Sequence, residues 1–290
     1  MTVSGYAVDL GGTKTAVARI ADGKVVDRRQ EQTNAGADLE TQLDAIAMLL
    51  GQIGYRHGEP LGAAVTGRID REGNWHAINT GTLRAIVAAP LGRRLKERFG
   101  PNSRAINDAA AAALAEARLG AGRGVHNFAY LTVSTGVGGG LVLGGRLLDS
   151  NNGLGGHVGF ASSPLGKDRC GSGRMGTVES VAGGRAIAAA AGLPDARAVF
   201  ADGGLDAIIE RSAGAIATLV ADLTSILGLD RVAIGGSIGL APNYLPRVLN
   251  HLAQEPALFR PEVVSASLGQ DSGLIGAVLF AMDTASPTER

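Results

Sequence analysis

Residues 9–14 of this chain read Asp-Leu-Gly-Gly-Thr-Lys and close an apolar run that begins at Tyr6. The pattern predicts a strand that carries an aspartate into a glycine turn, with a hydroxyl and a lysine directly after it. Glycines let backbone N–H groups approach anionic oxygens, a lysine adds positive charge, and a carboxylate can hold Mg²⁺. This combination suits a polyphosphate. A plain hairpin turn fits the same residues, and Lys14 fits an exposed strand lysine equally well.

A second glycine loop follows another apolar run, because residues 134–140 read Ser-Thr-Gly-Val-Gly-Gly-Gly. Thr135 and Gly136 would offer backbone N–H groups and a hydroxyl to the other side of the phosphates. Two such loops, each after a strand, predict a nucleotide held between two similar halves. Gly235 and Gly236 follow a further apolar strand, where they would permit flat approach to an adenosine. An ordinary strand-to-helix turn is the alternative there.

Asn107 and Asp108 stand between a short apolar strand and an alanine-rich helix. A carboxylate in that place can accept the proton of a hydroxyl group, and the neighbouring amide can hydrogen-bond adjacent hydroxyls. Asp108 could also be the N-cap of the helix, since aspartate is a preferred residue there. The two roles are compatible, so the pattern predicts a candidate general base and leaves the capping role open.

Apolar periodicity and glycine turns predict three short strands at the start of the chain, followed by alternating helices and strands. The predicted strands are 4–9, 14–20, 24–31, 61–66, 103–106, 127–133, 137–143, 146–148, 231–234 and 262–266. The predicted helices are 39–53, 89–99, the alanine run to Leu119, much of 176–227, 241–253 and a last helix from about 272. The strand group from 127 repeats the order of the opening group. This internal repeat predicts an α/β fold with duplicated mixed-sheet domains.

The chain has 290 residues, enough for two domains, and its 27 basic and 27 acidic residues give it no net charge. A protein that binds nucleic acid or an anionic membrane would usually carry a basic surplus, so neither partner is expected. Cys170 is the single cysteine, which excludes an internal disulfide. We find no signal-peptide pattern and no apolar segment of the ~20 residues that span a bilayer, and we expect a cytoplasmic protein.

Taken together, these motifs resemble those of the sugar kinases of the ROK family (repressor, open reading frame, kinase), over essentially the whole chain. The resemblance also rests on a Gly-His pair, a cysteine-glycine array, a glutamate and a Gly-Gly-Ser motif, at Gly156 and His157, 170–176, Glu179 and 235–237. Three stretches are similar to those of the members that phosphorylate N-acetylmannosamine, at 132–140, 235–241 and 244–256.

The resemblance implies the actin-like ATPase (ribonuclease H-like) fold, with two lobes around a cleft. The implied N-terminal lobe is 1–108, with a C-terminal helix at 272–290 packing back on it. The implied larger lobe is 109–271, and it contains the loop region 157–179. The resemblance also suggests a homodimer.

The implied activity is the transfer of a phosphoryl group from ATP to a sugar hydroxyl, with Mg²⁺ on the phosphates. Asp108 is then the catalytic base, and Asp9 orders Mg²⁺ through a water molecule. The implied sugar-contacting residues are Gly67, Asn79, Asn107, Asp108, His157 and Glu179. The implied nucleotide-contacting residues are Asp9, Gly11, Gly12, Thr13, Lys14, Thr135, Gly136, Gly235 and Gly236. By residue type alone, Asn79 would more often be a turn residue. A lone histidine such as His157 would more often have a structural role.

The chain departs from the family at the implied zinc site, where members commonly use one histidine and three cysteines. His157 and Cys170 are present, but Ser172 and Thr177 occupy the other two positions. Hydroxyl groups are poor zinc ligands compared with thiolate and imidazole. We therefore expect no tightly bound structural zinc in this degenerate loop.

A second departure bears on the sugar. Leu154 stands where glucose-phosphorylating relatives usually have a glutamate that accepts hydrogen bonds from sugar hydroxyls. Loss of a buried acceptor costs about 1–3 kcal/mol toward a partner hydroxyl, whereas an apolar side chain tolerates an acetamido methyl group. This favours phosphorylation of the 6-hydroxyl of N-acetylmannosamine, in sialic acid catabolism.

Three alternatives to that activity follow from the same residues. A glucokinase or another hexose or amino-sugar kinase would need the same motifs, and a non-catalytic sugar sensor could have lost turnover. A transcriptional repressor of the family would need a DNA-binding helix-turn-helix ahead of the first glycine loop. Only eight residues precede Asp9, so we do not expect a repressor.

Overall fold

The computed structural model describes residues 2–79, 81–202 and 204–283, and it divides into two compact units. Unit 1 comprises the described residues of Met1–Ala115, Asp149–Leu154 and Asp271–Arg290, and unit 2 comprises those of Glu116–Leu148 and Gly155–Gln270. The expected lobes, 1–108 with 272–290 and 109–271, differ from these units by 109–115, 149–154 and Asp271, which lie in unit 1. Of the expected helix 272–290, residues 284–290 lie outside the described part of the chain.

Short strands alternate with helices in both units. The strands are β1 (Gly5–Leu10), β2 (Lys14–Ala21), β3 (Lys24–Gln32), β4 (Leu61–Val65), β5 (Arg68–Ile69), β6 (Trp75–His76), β7 (Ser103–Asn107), β8 (Phe128–Val133), β9 (Val137–Leu143), β10 (Arg146–Leu147), β11 (Arg231–Gly235) and β12 (Glu262–Ser265). The α-helices are α1 (Leu39–Gln52), α2 (Leu91–Phe99), α3 (Asp108–Leu119), α4 (Glu179–Ala182), α5 (Gly184–Ala191), α6 (Ala196–Ala201), α7 (Asp206–Leu227), α8 (Gly236–Gly239), α9 (Tyr244–Leu252) and α10 (Ser272–Met282).

The same five-stranded sheet occurs in each unit. The strand order is β3-β2-β1-β4-β7 in unit 1 and β10-β9-β8-β11-β12 in unit 2. In both sheets the first three strands along the chain pair antiparallel, and the last two are added in parallel. Parallel neighbours require crossover helices, which the chain supplies after β1–β3 and after β8–β10. The predicted α/β fold with duplicated mixed sheets is confirmed.

The two faces of the unit 1 sheet carry side chains of different size. On one face, Tyr6 and Val8 share an apolar cluster with Leu43 of α1, whose N-terminus is capped by its flanking aspartate. On the other face α10 packs against β1 and β4. A Cβ on Gly62 of β4 would lie 1.9 Å from the carbonyl oxygen of Ala277. The absence of a side chain at that position therefore lets α10 lie directly on the strand backbone.

Helix α10 also contacts the helix that begins at Asp108. A Cβ on Gly276 would lie 1.7 Å from the carbonyl oxygen of Ala111 in α3. At its other end, α10 is held by Arg104, which donates to the carbonyl oxygens of Phe280 (2.8 Å) and Asp283 (2.6 Å). Unit 1 is thus completed by a helix that follows the whole of unit 2 in sequence.

Unit 2 has its own core, in which α7 packs against α4, α5 and α9. A polar link crosses this core, since the Ser212 hydroxyl lies 2.7 Å from the Tyr244 hydroxyl and donates to the carbonyl oxygen of Ala182 at 3.3 Å. Burial raises the pKa of Tyr244, against a smaller lowering by Ser212, so the phenol is neutral over the physiological range. The link fixes the end of α4 against α7 and α9.

The hairpin β5–β6 in unit 1 is absent from the predicted elements. Each strand has only two residues, too few for an alternating pattern to appear. Within the three described ranges, no helix combines the length and the apolar character that a membrane crossing requires.

Candidate functional site

Asp9 lies near the carboxyl end of β1, and the first glycine loop follows it. The loop is a tight turn, because the Gly11 N–H donates to the carbonyl oxygen of Lys14 at 3.0 Å. Lys14 begins β2 and its side chain is exposed. Burial, and after it the charge of Asp108, raises the pKa of Asp9 to about 6, although Lys14 and Arg28 lower it. The structure thus places the buried Asp9 carboxylate within the electrostatic influence of Asp108, with the cations Lys14 and Arg28 offsetting part of that effect.

Asp108 is the first residue of α3, and Asn107 holds it in place. The Asn107 side-chain amide donates to the Asp108 carboxylate (Oδ1, 2.9 Å) and to the carbonyl oxygen of Gly67 (2.7 Å). The Asn107 side-chain oxygen accepts from the Ala110 N–H at 3.0 Å, and Asp108 Oδ1 accepts from the Ala109 N–H at 2.8 Å. Asn107 is therefore the residue whose side chain caps α3, and Asp108 is not needed for that purpose.

Arg28 on β3 is a site residue that the sequence analysis missed. It donates to the Asp271 carboxylate at the N-terminus of α10 (2.5 Å) and contributes to the electrostatic environment of Asp9. Its position within a run of charged residues on β3 gave no signal, because nothing local distinguishes it from a solvated strand arginine. Only the sheet pairing brings it toward β1.

The hairpin β5–β6 follows Gly67 and is held by an aspartate–histidine pair. The Asp70 carboxylate lies 2.8 Å from His76 Nε2 and accepts from the Asn74 N–H at 2.8 Å. Burial raises the pKa of Asp70, but the hydrogen bonds from His76 and Asn74 outweigh it and lower the pKa to about 2. Beyond the hairpin, the Asn79 side-chain oxygen accepts from the Gly81 N–H at 3.0 Å, as in a turn.

The second glycine loop, in unit 2, is tied to the segment that begins α5. The Gly184 and Arg185 N–H groups donate to the carbonyl oxygens of Ser134 (2.7 Å) and Thr135 (3.1 Å). The second glycine loop is therefore held to the start of α5 through the carbonyl groups of Ser134 and Thr135.

The Gly-Gly-Ser motif after β11 lies beside the same loop, since the Ser134 and Ser237 hydroxyl oxygens are 3.1 Å apart. Gly236 has φ of +85°, and a Cβ there would lie 2.4 Å from the carbonyl oxygen of Val133. A glycine is required at that position for both reasons. The structure thus brings together the predicted nucleotide residues of unit 2, Thr135, Gly136, Gly235 and Gly236.

Glu179, the first residue of α4, contacts two loops of unit 2. Its Oε2 accepts from the Val137 N–H and its Oε1 from the Gly171 N–H, each at 3.2 Å. His157 stacks on Phe160, with ring centroids 5.9 Å apart and 22° between the rings. Leu154 lies in unit 1, with 43% of its surface exposed, and follows a segment whose Asn152 carbonyl oxygen accepts from Arg68 at 2.6 Å.

The residues at the implied zinc positions do not fit a zinc site. The Cys170 sulfur lies 3.0 Å from the Ser172 hydroxyl oxygen. Thr177 is fully buried, and its hydroxyl accepts from the Ser180 N–H at 3.2 Å. One thiolate and one imidazole fall short of the four nitrogen or sulfur ligands of structural zinc. The loop is instead closed by backbone hydrogen bonds, including Cys170 N–H to Arg174 (2.9 Å) and Gly176 N–H to Asp168 (2.9 Å).

The residues fit Mg²⁺ better. Asp9 offers an oxygen ligand, which Mg²⁺ prefers, and a cation would offset the cost of keeping this carboxylate ionised beside Asp108. A site ordered through one carboxylate and water molecules needs no cluster of protein ligands. In the part of the chain that the structure describes, no group of three or more histidine, cysteine, aspartate or glutamate side chains is arranged to hold a metal ion.

Comparison with known proteins agrees with these features. The family model described as "ROK family" matches residues 5–284. An N-acetylmannosamine kinase of Escherichia coli O9:H4 (strain HS) is 41% identical over 285 residues, which cover 95% of this chain and 97% of that protein.

Among solved structures, the ROK hexokinase from Thermus thermophilus has a TM-score of 0.78 and 33% identity, covering 96% of this chain and 97% of that one. A ROK family glucokinase from Streptomyces griseus, in complex with glucose and AMPPNP, has a TM-score of 0.80 and 24% identity, covering 96% and 98%. The latter likeness concerns the fold alone.

Proposed function

This chain belongs to the ROK family, and from that premise we propose that it transfers the γ-phosphoryl group of ATP to the 6-hydroxyl of N-acetylmannosamine. The product is N-acetylmannosamine 6-phosphate, and the reaction serves the breakdown of sialic acid. The observation that carries the proposal is the Asp108 carboxylate, held by Asn107 beside Gly67 at the start of α3. The activity of the E. coli relative supports the choice of sugar.

Asp108 is the general base in this proposal. Its carboxylate takes the proton of the 6-hydroxyl as that oxygen bonds to the γ-phosphorus, and the bond from the γ-phosphorus to the β–γ bridging oxygen breaks to release ADP. Asn107 keeps the carboxylate in place by donating to its Oδ1. Gly67, Asn79, His157 and Glu179 complete the sugar-contacting set.

The nucleotide residues divide between the two glycine loops and the Gly-Gly-Ser motif. Backbone N–H groups of residues 12–13 and 135–136 donate to phosphate oxygens, the Gly11 N–H closes the turn that presents them, and Lys14 adds a positive charge. Asp9 would hold Mg²⁺ through a water molecule, an ion that neutralises charge on the phosphates. Gly235 and Gly236 leave room for the adenosine. Since ATP is the phosphoryl donor, we place the protein in the cytoplasm, and we extend to it the homodimer that the family resemblance suggests.

The proposal is tested by an assay coupled to ADP release, with ATP, Mg²⁺ and one of four sugars: N-acetylmannosamine, N-acetylglucosamine, glucose or mannose. We expect kcat/KM to be highest for N-acetylmannosamine, because Leu154 offers no acceptor to a hydroxyl and tolerates an acetamido methyl group. Phosphorus NMR of the product identifies the 6-position. A preference for glucose would instead assign the chain to the hexokinases, and sugar binding without turnover would indicate a sensor.

A separate prediction concerns zinc. We expect the purified protein to contain far less than one zinc ion per chain and to keep its kcat and Tm after dialysis against a strong chelator, because Ser172 and Thr177 cannot act as thiolate ligands. Elemental analysis and thermal unfolding on the same preparation provide the measurement. Stoichiometric zinc whose removal lowers Tm would contradict the prediction, whereas zinc that is removed without effect would be adventitious.

A further inference from the structure

The Glu179 carboxylate lies directly against the second glycine loop. A Cβ on Gly136 would be 2.3 Å from Glu179 Oε2, so the carboxylate occupies the space that a side chain at 136 would need. The same oxygen accepts from the N–H of Val137, the next residue of the loop, at 3.2 Å. The second glycine loop therefore packs against the carboxylate of Glu179, the first residue of α4.

The other oxygen of this carboxylate is bonded to a different loop. Glu179 Oε1 accepts from the Gly171 N–H at 3.2 Å, within the degenerate zinc loop. That loop is closed by its own backbone hydrogen bonds, and Gly171 lies between Cys170 and Ser172. One side chain thus connects the backbones of two loops, one predicted to contact phosphates and one flanked by predicted sugar residues.

The base of this connection is fixed. Glu179 begins α4, and the end of α4 at Ala182 accepts from the buried Ser212 hydroxyl. Directly after α4, the Gly184 N–H donates to the carbonyl oxygen of Ser134 at 2.7 Å. The segment from Glu179 to Gly184 therefore holds the start of the glycine loop at two points, one through the backbone and one through the carboxylate.

We propose that Glu179 is a positioning residue that supports the glycine loop for nucleotide binding and couples that binding to occupancy of the sugar site. The coupling rests on the proposed function, because it takes the sugar hydroxyls to be donors to the same carboxylate. An ionised carboxylate has about four acceptor positions, so a sugar adds to the two backbone donors without displacing them. Any effect of the sugar on nucleotide affinity is matched by an equal effect of the nucleotide on sugar affinity.

The test is the affinity for AMPPNP with Mg²⁺, measured by calorimetry with and without N-acetylmannosamine, in the wild-type chain and in Glu179→Gln. The amide retains the shape but turns a donor toward one of the two backbone N–H groups. We expect the Kd for AMPPNP without sugar to rise about tenfold, the size of one lost hydrogen bond to a charged acceptor. We also expect the sugar to change that Kd less in the variant than in the wild type.

Glu210→Gln is the matched control. It removes the same charge from unit 2, but Glu210 pairs with Arg247 and His251 on the surface of α7 and α9. Its AMPPNP affinity should equal that of the wild type.

A wild-type AMPPNP affinity in Glu179→Gln, together with a raised KM for the sugar, would overturn the proposal and leave Glu179 as a sugar contact only. If Glu179→Gln did not fold, Glu179→Asp would be tested in the same way, because it keeps the charge but is too short to reach both N–H groups; a wild-type affinity there also overturns the proposal. Failure of the proposed function is distinguishable, since the wild type would then bind AMPPNP without turning over any sugar.

Discussion

Replacing Asp108 by asparagine should lower kcat by at least about 100-fold and leave the KM for the sugar close to its wild-type value. Asp108 Oδ1 already accepts from Asn107 and from the Ala109 N–H. An asparagine can keep both hydrogen bonds through its side-chain oxygen, so the substitution removes the basic group without displacing it. The loss should therefore appear in the chemical step, measured as kcat in the ADP-release assay.

The control for this substitution is Asp206→Asn, which makes the same change at an exposed ion pair. Asp206 lies 2.8 Å from Arg247, with 65% of its side chain exposed, and such pairs contribute little. Its kcat should equal that of the wild type. A kcat for Asp108→Asn within a few-fold of the wild-type value would remove Asp108 from the role of base.

Replacing Asp9 by asparagine should have two opposite effects: higher stability at pH 7.5 and little activity. Burial and the charge of Asp108 raise the pKa of Asp9 from 3.8 to about 6 in the folded chain. The folded state therefore binds this proton more tightly than the unfolded chain, so the free energy of unfolding falls as the pH rises from about 4 to about 6. Above that range the ionised carboxylate costs at most about 3 kcal/mol, which a neutral amide avoids.

We expect Asp9→Asn to raise the free energy of unfolding by about 1–3 kcal/mol at pH 7.5, and by less at pH 5, where the wild-type carboxyl is largely protonated. Urea unfolding at both pH values, without divalent cations, measures the difference. A stability difference that does not change between the two pH values would contradict the assigned cause.

Asp70→Asn provides a comparison of opposite sign. Burial raises the pKa of Asp70, but hydrogen bonds from His76 and Asn74 lower it to about 2, below its unfolded value of 3.8. This carboxylate therefore stabilises the fold above about pH 4, and the contribution is lost as the pH falls toward 2. The variant should be less stable than the wild type at pH 7.5.

The strands of the two five-stranded sheets were predictable because apolar runs are bounded by glycine turns, and their predicted ends agree with the structure to within one residue. Strand β1, predicted at 4–9, spans Gly5–Leu10, and β9 was predicted without error at Val137–Leu143. The repeat of strand order also followed from the sequence, because both copies retain their turns. The hairpin β5–β6 could not be predicted in this way, although Asp70 and Gly73 mark its turn. Each of its strands has two residues, too few to show an alternating apolar pattern.

The site residues that belong to local sequence motifs were predictable. The electrostatic effects between residues on different strands of the sheet were not. Asp9 and Asp108 were both recognised, but their mutual effect on pKa depends on how β1 and β7 are placed by β4 between them. The sequence offered Asp108 as the N-cap of α3, whereas the hydrogen bond from the Ala110 N–H assigns that role to Asn107. Arg28 has no local signal, because its partner Asp271 lies far along the chain.

Helix α10 bears on how the chain reaches its folded state during synthesis. It covers the β1–β4 face of the unit 1 sheet through Gly62 and Gly276, yet it leaves the ribosome only after all of unit 2. Domains that fold as they emerge usually do so in order from the N-terminus. Here residues 1–115 are synthesised before the helix that packs on their sheet, so unit 2 can complete its fold first and unit 1 only after it.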